Sequence, residues 1–184
     1  MSTEVARTIL VTGGARGIGA AIAKPELARV VCLAGDGSIM MNLQELQTIV
    51  GRRLPVKVFV LNNSGYHSIR QTQSSFFAGR VVGCGTDSGL SFPDFGRLAD
   101  AFGMPFERCS RHADLQAAIA RTLAPTGAAM CEVVLDLSQP FAPKLSSRKL
   151  EGGSMVTSSL EDMAPFLSRE ELQSNMPSDT KERA

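Results

Sequence analysis

Residues 35–63 read GDGSIMMNLQELQTIVGRRLPVKVFVLNN, a run that opens on a Gly-Asp-Gly turn and closes on paired asparagines. Within it, NLQELQTIV (42–50) places Leu43, Leu46, Ile49 and Val50 on one face, the stripe of an amphipathic helix. After Leu54-Pro55, VKVFVLNN (56–63) is an apolar, β-branched run that suits a strand buried on both faces. RVVCLA (29–34) just ahead reads the same way. The unit is therefore strand, helix, strand, with Asp36 at the end of the first strand and Asn62-Asn63 at the end of the second.

Working outward, the alternation continues. RTILVT (7–12) is strand-like and leads through a glycine-rich turn and an alanine-rich helix to RVVCLA. DFGRLADAFG (94–103) predicts a helix capped by Asp94 and ended by Gly103, with Phe95, Leu98, Ala99 and Phe102 turned inward. MPFERCS predicts a strand, ADLQAAIARTLA (113–124) a helix and AMCEVVLDLS (129–138) the last strand. Strands alternating with single helices define an α/β fold, a parallel sheet with helices on both faces. Residues 74–92, rich in Gly and Ser yet carrying aromatics, suit a functional loop. From Gln139 on, the chain turns rich in Pro, Ser and charge and reads as an irregular C-terminal arm and tail.

The bulk properties narrow the function classes. A chain of 184 residues supports one domain with a proper core, and 43% hydrophobic residues is globular. A formal net charge of +1 gives no electrostatic case for nucleic acid or an anionic membrane. No apolar run approaches the roughly 20 residues of a membrane span, and MSTEVART, with no long apolar core behind a basic start, is not expected to be a signal peptide. The four cysteines, Cys32, Cys84, Cys109 and Cys131, form no CxxC pair and read as reduced, packed thiols in a cytoplasmic setting.

The turn at Asp36 carries the chemistry. A turn at the C-terminal end of a parallel strand, leading into a helix, presents free N–H groups to an anion. Gly35 and Gly37 let the chain bend there, and Ser38 adds a hydroxyl. A carboxylate beside a diphosphate repels it unless a divalent cation intervenes. Mg²⁺ takes about six oxygens at about 2.0–2.1 Å and uses few protein ligands plus phosphate. Asp36 offers one oxygen, the amide of Asn63 a second without added charge, and the carbonyl of Gly65 a third.

With Asp36 and Asn63 separated by 63 − 36 = 27 positions, this pattern resembles the cofactor signature of thiamine-diphosphate-dependent enzymes. RVVCLAGDGSIMMNLQELQTIVGRRLPVKVFVLNNSGYHSIRQTQSSFF, FPDFGRLADAFGMPFERC and QPFAPKLSSRKLEGGSMVTSSLEDMAPFLSREEL resemble the acetolactate synthase branch, over roughly residues 20–175. The resemblance implies Asp36, Asn63 and Gly65 as Mg²⁺ ligands, and Gly35, Gly37 and Ser38 along the diphosphate of thiamine diphosphate, with Tyr66 beside it. It implies a 2-oxoacid decarboxylase or carboligase. It also implies dependence on a pyrimidine-binding domain, which has no counterpart here and would come from a homo-oligomer or a separate subunit. Neither nucleic acid nor a membrane is expected as a partner. Thr72 stands where that branch has a tryptophan, which leaves the particular 2-oxoacid open. Tyr66 and His67, beside that metal site, open a helix at a sheet edge and read as ordinary surface groups, with contact to substrate as the alternative. His112 reads as structural, and Met40 and Met41 as core.

A second resemblance competes at the N-terminus. TILVTGGARGIGAAIA resembles the opening of short-chain dehydrogenases, with Gly13, Gly17 and Gly19 for a pyrophosphate and Asp36 as a ribose-binding acid. NNSG (62–65) and the pair Tyr66/Arg70 echo that family too. Yet Tyr66 follows Gly65 directly, and arginine does not replace the family's lysine. The two resemblances meet near residues 15–20. That division gives a dehydrogenase-like leader (1–19), a thiamine-diphosphate/Mg-binding domain (20–140) and an arm and tail (141–184), with an NAD(P)-binding fragment as the alternative.

Overall fold

The computed structural model describes residues 8–12, 29–140, 142–145, 147–149 and 155–176. The glycine-rich stretch with Gly13, Gly17 and Gly19 lies outside them. The chain divides into two units, Met1–Gln139 and Pro140–Ala184.

In the first unit the elements follow in order: β1 (Thr8–Thr12), β2 (Arg29–Gly35), α1 (Asp36–Met40), α2 (Gln44–Gly51), β3 (Val56–Asn62) and α3 (His67–Phe76). After a 3-10 turn at Thr86–Ser88 come α4 (Phe95–Ala101), β4 (Phe106–Cys109), a second 3-10 turn at His112–Asp114, α5 (Leu115–Leu123) and β5 (Ala129–Val134). The five strands form one parallel sheet in the order β1-β2-β3-β5-β4. It is the expected α/β sheet, and alternation along the strands divides its side chains between two faces. Val30, Cys32 and Ala34 of β2 and Val56, Val58 and Val60 of β3 pack with Leu46 and Ile49 of α2 and Phe95 and Ala99 of α4. Phe59 and Cys131 point the other way and pack with Ala118, Leu115 and Leu123 of α5. Helices therefore cover both faces. Right-handed crossovers account for the split: β2→β3 and β3→β4 run in one direction across the sheet, and β4→β5 runs back.

Several expectations shift in detail. Met41 is 63% exposed rather than core, because the turn between α1 and α2 carries it outward while Ile39 takes the inward position. Met40 is half-buried. β5 stops at Val134, since β3 ends at Asn62, the partner of Val134, and Leu135 closes the pairing by donating to Asn62 O at 2.8 Å. The predicted helix at 94–103 holds: the Asp94 carboxylate accepts from Arg97 N at 3.0 Å, and Gly103 takes φ +64 beyond the helix end. All four cysteines are free and buried. No helix among the described residues is long and apolar enough to cross a membrane.

The second unit has more regular structure than its composition predicts. An antiparallel hairpin joins β6 (Ser147–Lys149) to β7 (Met155–Thr157), followed by α6 (Arg169–Asn175). Ser168 caps α6 by accepting from Glu171 N at 3.2 Å, and Arg169 grips the buried Asp162 carboxylate at 2.6 and 2.8 Å.

Candidate cofactor and cation site

Gly35 ends β2 in extended conformation (φ −68, ψ 154) and leads directly into α1, so Asp36 is the first helical residue. Its side chain is fully buried. One carboxylate oxygen, Oδ1, accepts from Gly37 N at 2.9 Å, and Oδ2 accepts from Gly65 N at 2.7 Å. Burial pushes the Asp36 pKa up, and the Gly37 and Gly65 N–H groups pull it back. A buried carboxylate held by neutral donors lacks a full countercharge.

The neighbouring strand end supplies the rest. After Asn62 the chain turns through Ser64 at φ +58 and Gly65 at φ +148. One terminal atom of the Asn63 amide lies 2.7 Å from Gly65 O and 3.3 Å from Asp36 Oδ1. With nitrogen there, the amide donates to both. With oxygen there, three oxygens converge: one carboxylate, one amide and one carbonyl. The two acceptors favour nitrogen there in the metal-free protein, and a cation would turn the amide oxygen toward them. Adjacent ligands of an octahedral Mg²⁺ at about 2.0–2.1 Å lie about 2.9 Å apart, between the two spacings. Among the described residues no three His, Cys, Asp or Glu side chains gather into a metal site. One carboxylate with neutral oxygens is the donor set of a Mg²⁺ that takes its remaining ligands from phosphate and water.

The turn is held from outside by residues 82–88. Tyr66 N donates to Cys84 O at 2.8 Å, and Gly65 forms an antiparallel bridge with Gly85. A Cβ on Gly65 would overlap the Cys84 carbonyl oxygen and stand 2.8 Å from Gly85 Cα, so only glycine fits. Arg70 of α3 grips Asp87 with both terminal nitrogens at 2.6 and 2.8 Å, and Gln73 exchanges two hydrogen bonds with Val82. The Tyr66 ring lies against Gly37, where an added Cβ would come within 2.6 Å of it.

The structure thus brings Asp36, Gly37, Asn63, Gly65 and Tyr66 together, with Gly35 and Ser38 at the start of α1. His67 is 7% exposed, so it is a buried group rather than the surface residue its position at a helix start predicts. The sequence reading passed over Asn62, Glu132 and Arg108. Asn62 Nδ2 donates to Glu132 Oε1 at 2.5 Å, and Arg108 Nε donates to Glu132 Oε2 at 2.6 Å. The available clue was a glutamate inside the apolar strand AMCEVV.

A buried acid and an amide at adjacent strand ends, each beside a glycine turn, lie at the carboxyl end of a parallel sheet, the edge at which open α/β sheets bind ligands. Residues 8–133 match the family of the thiamine pyrophosphate enzyme, C-terminal TPP binding domain, and the chain belongs to that family. The match begins at residue 8. It therefore takes in the stretch expected to be dehydrogenase-like, a reading that the match does not support, and the described part of that stretch, β1, is the edge strand of this sheet.

The chain is 33% identical to the acetolactate synthase large subunit of Cyanidium caldarium over 132 residues, 72% of this chain and 22% of that one. It is 38% identical to the acetolactate synthase isozyme 2 large subunit of Escherichia coli K12 over 120 residues, 65% of this chain and 21% of that one. With the large subunit of Parasynechococcus marenigrum the identity is 42% over 106 residues, 55% of this chain and 17% of the other. The aligned part of the chain spans about a fifth of the length of these relatives.

Proposed function

We propose that this chain is the thiamine-diphosphate- and Mg²⁺-binding domain of a 2-oxoacid decarboxylase or carboligase of the acetolactate synthase type. The observation that carries the cation part is the approach of the Asn63 amide to both Asp36 Oδ1 and Gly65 O. Asp36, Asn63 and the Gly65 carbonyl hold Mg²⁺. The turn from Gly35 through Ser38 faces the diphosphate, and Tyr66 closes one side. When bound, thiamine diphosphate supplies the carbanion chemistry by which a 2-oxoacid loses carbon dioxide and joins an acceptor. The protein's part is to neutralise, orient and enclose.

Activity needs a partner: a pyrimidine-binding domain from a homo-oligomer or a separate subunit. Phe76 and Phe77, at the end of the helix leaving the site, are 80% and 62% exposed, an apolar surface that supports such a covering partner. Calorimetric titration with thiamine diphosphate, with and without Mg²⁺, tests the cation reading. Binding is expected to require Mg²⁺ and to be lost in Asp36→Ala. Equal binding without the ion, or by the variant, refutes it. The chain alone is expected to give no decarboxylation of pyruvate.

A further inference from the structure

Asn62, Glu132 and Arg108 form a polar row across three neighbouring strands, β3, β5 and β4, on the sheet face that carries α2 and α4. Arg108 stands directly opposite Glu132 in the β4–β5 register, and Asn62 lies one step diagonally across β3–β5. Glu132 is 4% exposed. Its two oxygens are divided, Oε1 to Asn62 Nδ2 and Oε2 to Arg108 Nε. Arg108 reaches on to Asp94 Oδ2 at 3.4 Å, the residue that caps α4.

We infer that Glu132 is a positioning residue for the cation site, acting through Asn62; this rests on the roles proposed above for Asp36, Asn63 and Gly65. The hydrogen bonds of Glu132 go to Asn62 and Arg108 and not to those three. A carboxylate accepts only, so it fixes which end of the Asn62 amide faces it: Nδ2 points to Glu132, and Oδ1 points the other way. There Oδ1 accepts from Ser64 N at 2.9 Å. That bond bends the chain into the turn at Ser64, whose φ of +58 is a conformation serine adopts at a cost. The turn sets the Gly65 N–H on Asp36 Oδ2 and brings the Gly65 carbonyl up to the Asn63 amide. Glu132 thereby decides the orientation of two of the three oxygens without meeting the ion.

The position demands a carboxylate. A glutamine has one oxygen, and Asn62 and Arg108 both present donors. Serving one turns the glutamine amide N–H₂ against the other.

The test uses the full chain with Mn²⁺ and thiamine diphosphate in calorimetry, and amide hydrogen exchange at Ser64 in the metal-free protein. Residues that orient metal ligands from outside are worth about ten- to a hundredfold in affinity. Glu132→Gln is expected to weaken Mn²⁺ binding at least about tenfold, at the low end of that range, and to speed exchange at Ser64. Adding Arg108→Met removes the competing donor, lets the glutamine oxygen return to Asn62 and restores both readouts. A purely structural role would not produce that rescue of ion affinity. If wild type and Glu132→Gln take up Mn²⁺ alike, the positioning role is refuted and the site stands. If wild type with thiamine diphosphate takes up no Mn²⁺, the site is refuted and the role of Glu132 with it. Loss of affinity in Glu132→Gln that Arg108→Met does not restore also refutes it.

Discussion

Replacing Gly65 by alanine isolates the turn on which the site depends. Two costs add. The φ of +148 lies where residues with a Cβ are strained by about 1–3 kcal/mol. The added Cβ also overlaps the Cys84 carbonyl oxygen and comes within 2.8 Å of Gly85 Cα, so the segment must retreat. Retreat breaks the Tyr66 N–H bond to Cys84 O and the Gly65–Gly85 bridge, worth about 1 kcal/mol each when the groups regain water. The sum is about 3–5 kcal/mol. Gly103 is the control: it has φ +64, but nothing lies within 4 Å of an added Cβ. Gly103→Ala should cost about 1–2 kcal/mol. Urea unfolding followed by circular dichroism measures both. A second readout is local. All four cysteines are free and buried, so a thiol reagent should react slowly with wild type. In Gly65→Ala, Cys84, fully enclosed in wild type, becomes the one fast thiol. If Gly65→Ala matches Gly103→Ala in stability and keeps Cys84 protected, the 84–85 segment does not pack on the turn as described.

Further tests follow from the surroundings of the turn. Hydrogen bonds from Arg70 hold the Asp87 carboxyl below its ordinary value of 3.8, so this contact supports the loop above that pH and is lost as pH falls below it. The chain has one tyrosine and no tryptophan, so Tyr66 fluorescence reports on the site directly. A low-pH fluorescence change seen in wild type should be absent from Asp87→Asn, whose loop has already lost the contact; identical titrations would refute the strap. Buried Lys57 donates to the carbonyls of Pro125 and Gly127, fastening the turn between α5 and β5. Lys57→Met should lower stability by about 2 kcal/mol through loss of charge-assisted bonds, read from the urea midpoint. An unchanged midpoint would show that water replaces the lysine at no cost.

The fold was legible wherever burial imposes a period. Apolar β-branched runs at 29–34 and 56–60 have no solvated face, so they announce strands inside a parallel sheet, and both are strands. The stripe of Leu46 and Ile49 announced a helix pressed on them. Met41 misled because three consecutive apolar residues, 39–41, cannot all face inward at about 100° per residue. The hairpin and helix of the second unit left little trace, since short elements held by a cap and an ion pair bury few apolar side chains. Residues 77–92 gave away their glycines but not what the glycines fit, because that depends on Arg70, Gln73 and Gly65 meeting Asp87, Val82 and Gly85.

The candidate site divides along the same line. Asp36 and Asn63 could be paired from the sequence because one β-α-β unit joins them. A right-handed crossover to the adjacent strand leaves the two strand ends side by side whatever the rest of the chain does. Glu132 could not be paired with Asn62 by that reasoning. The two residues are 70 positions apart, and their contact requires β5 to insert between β3 and β4, an order that the succession of elements does not dictate. It requires register as well. Slipping β5 by one residue would turn Glu132 to the opposite face and set an apolar side chain beside Asn62. Local sequence therefore specifies which oxygens gather at the turn, and the sheet's order and register specify how the residues behind that turn are held.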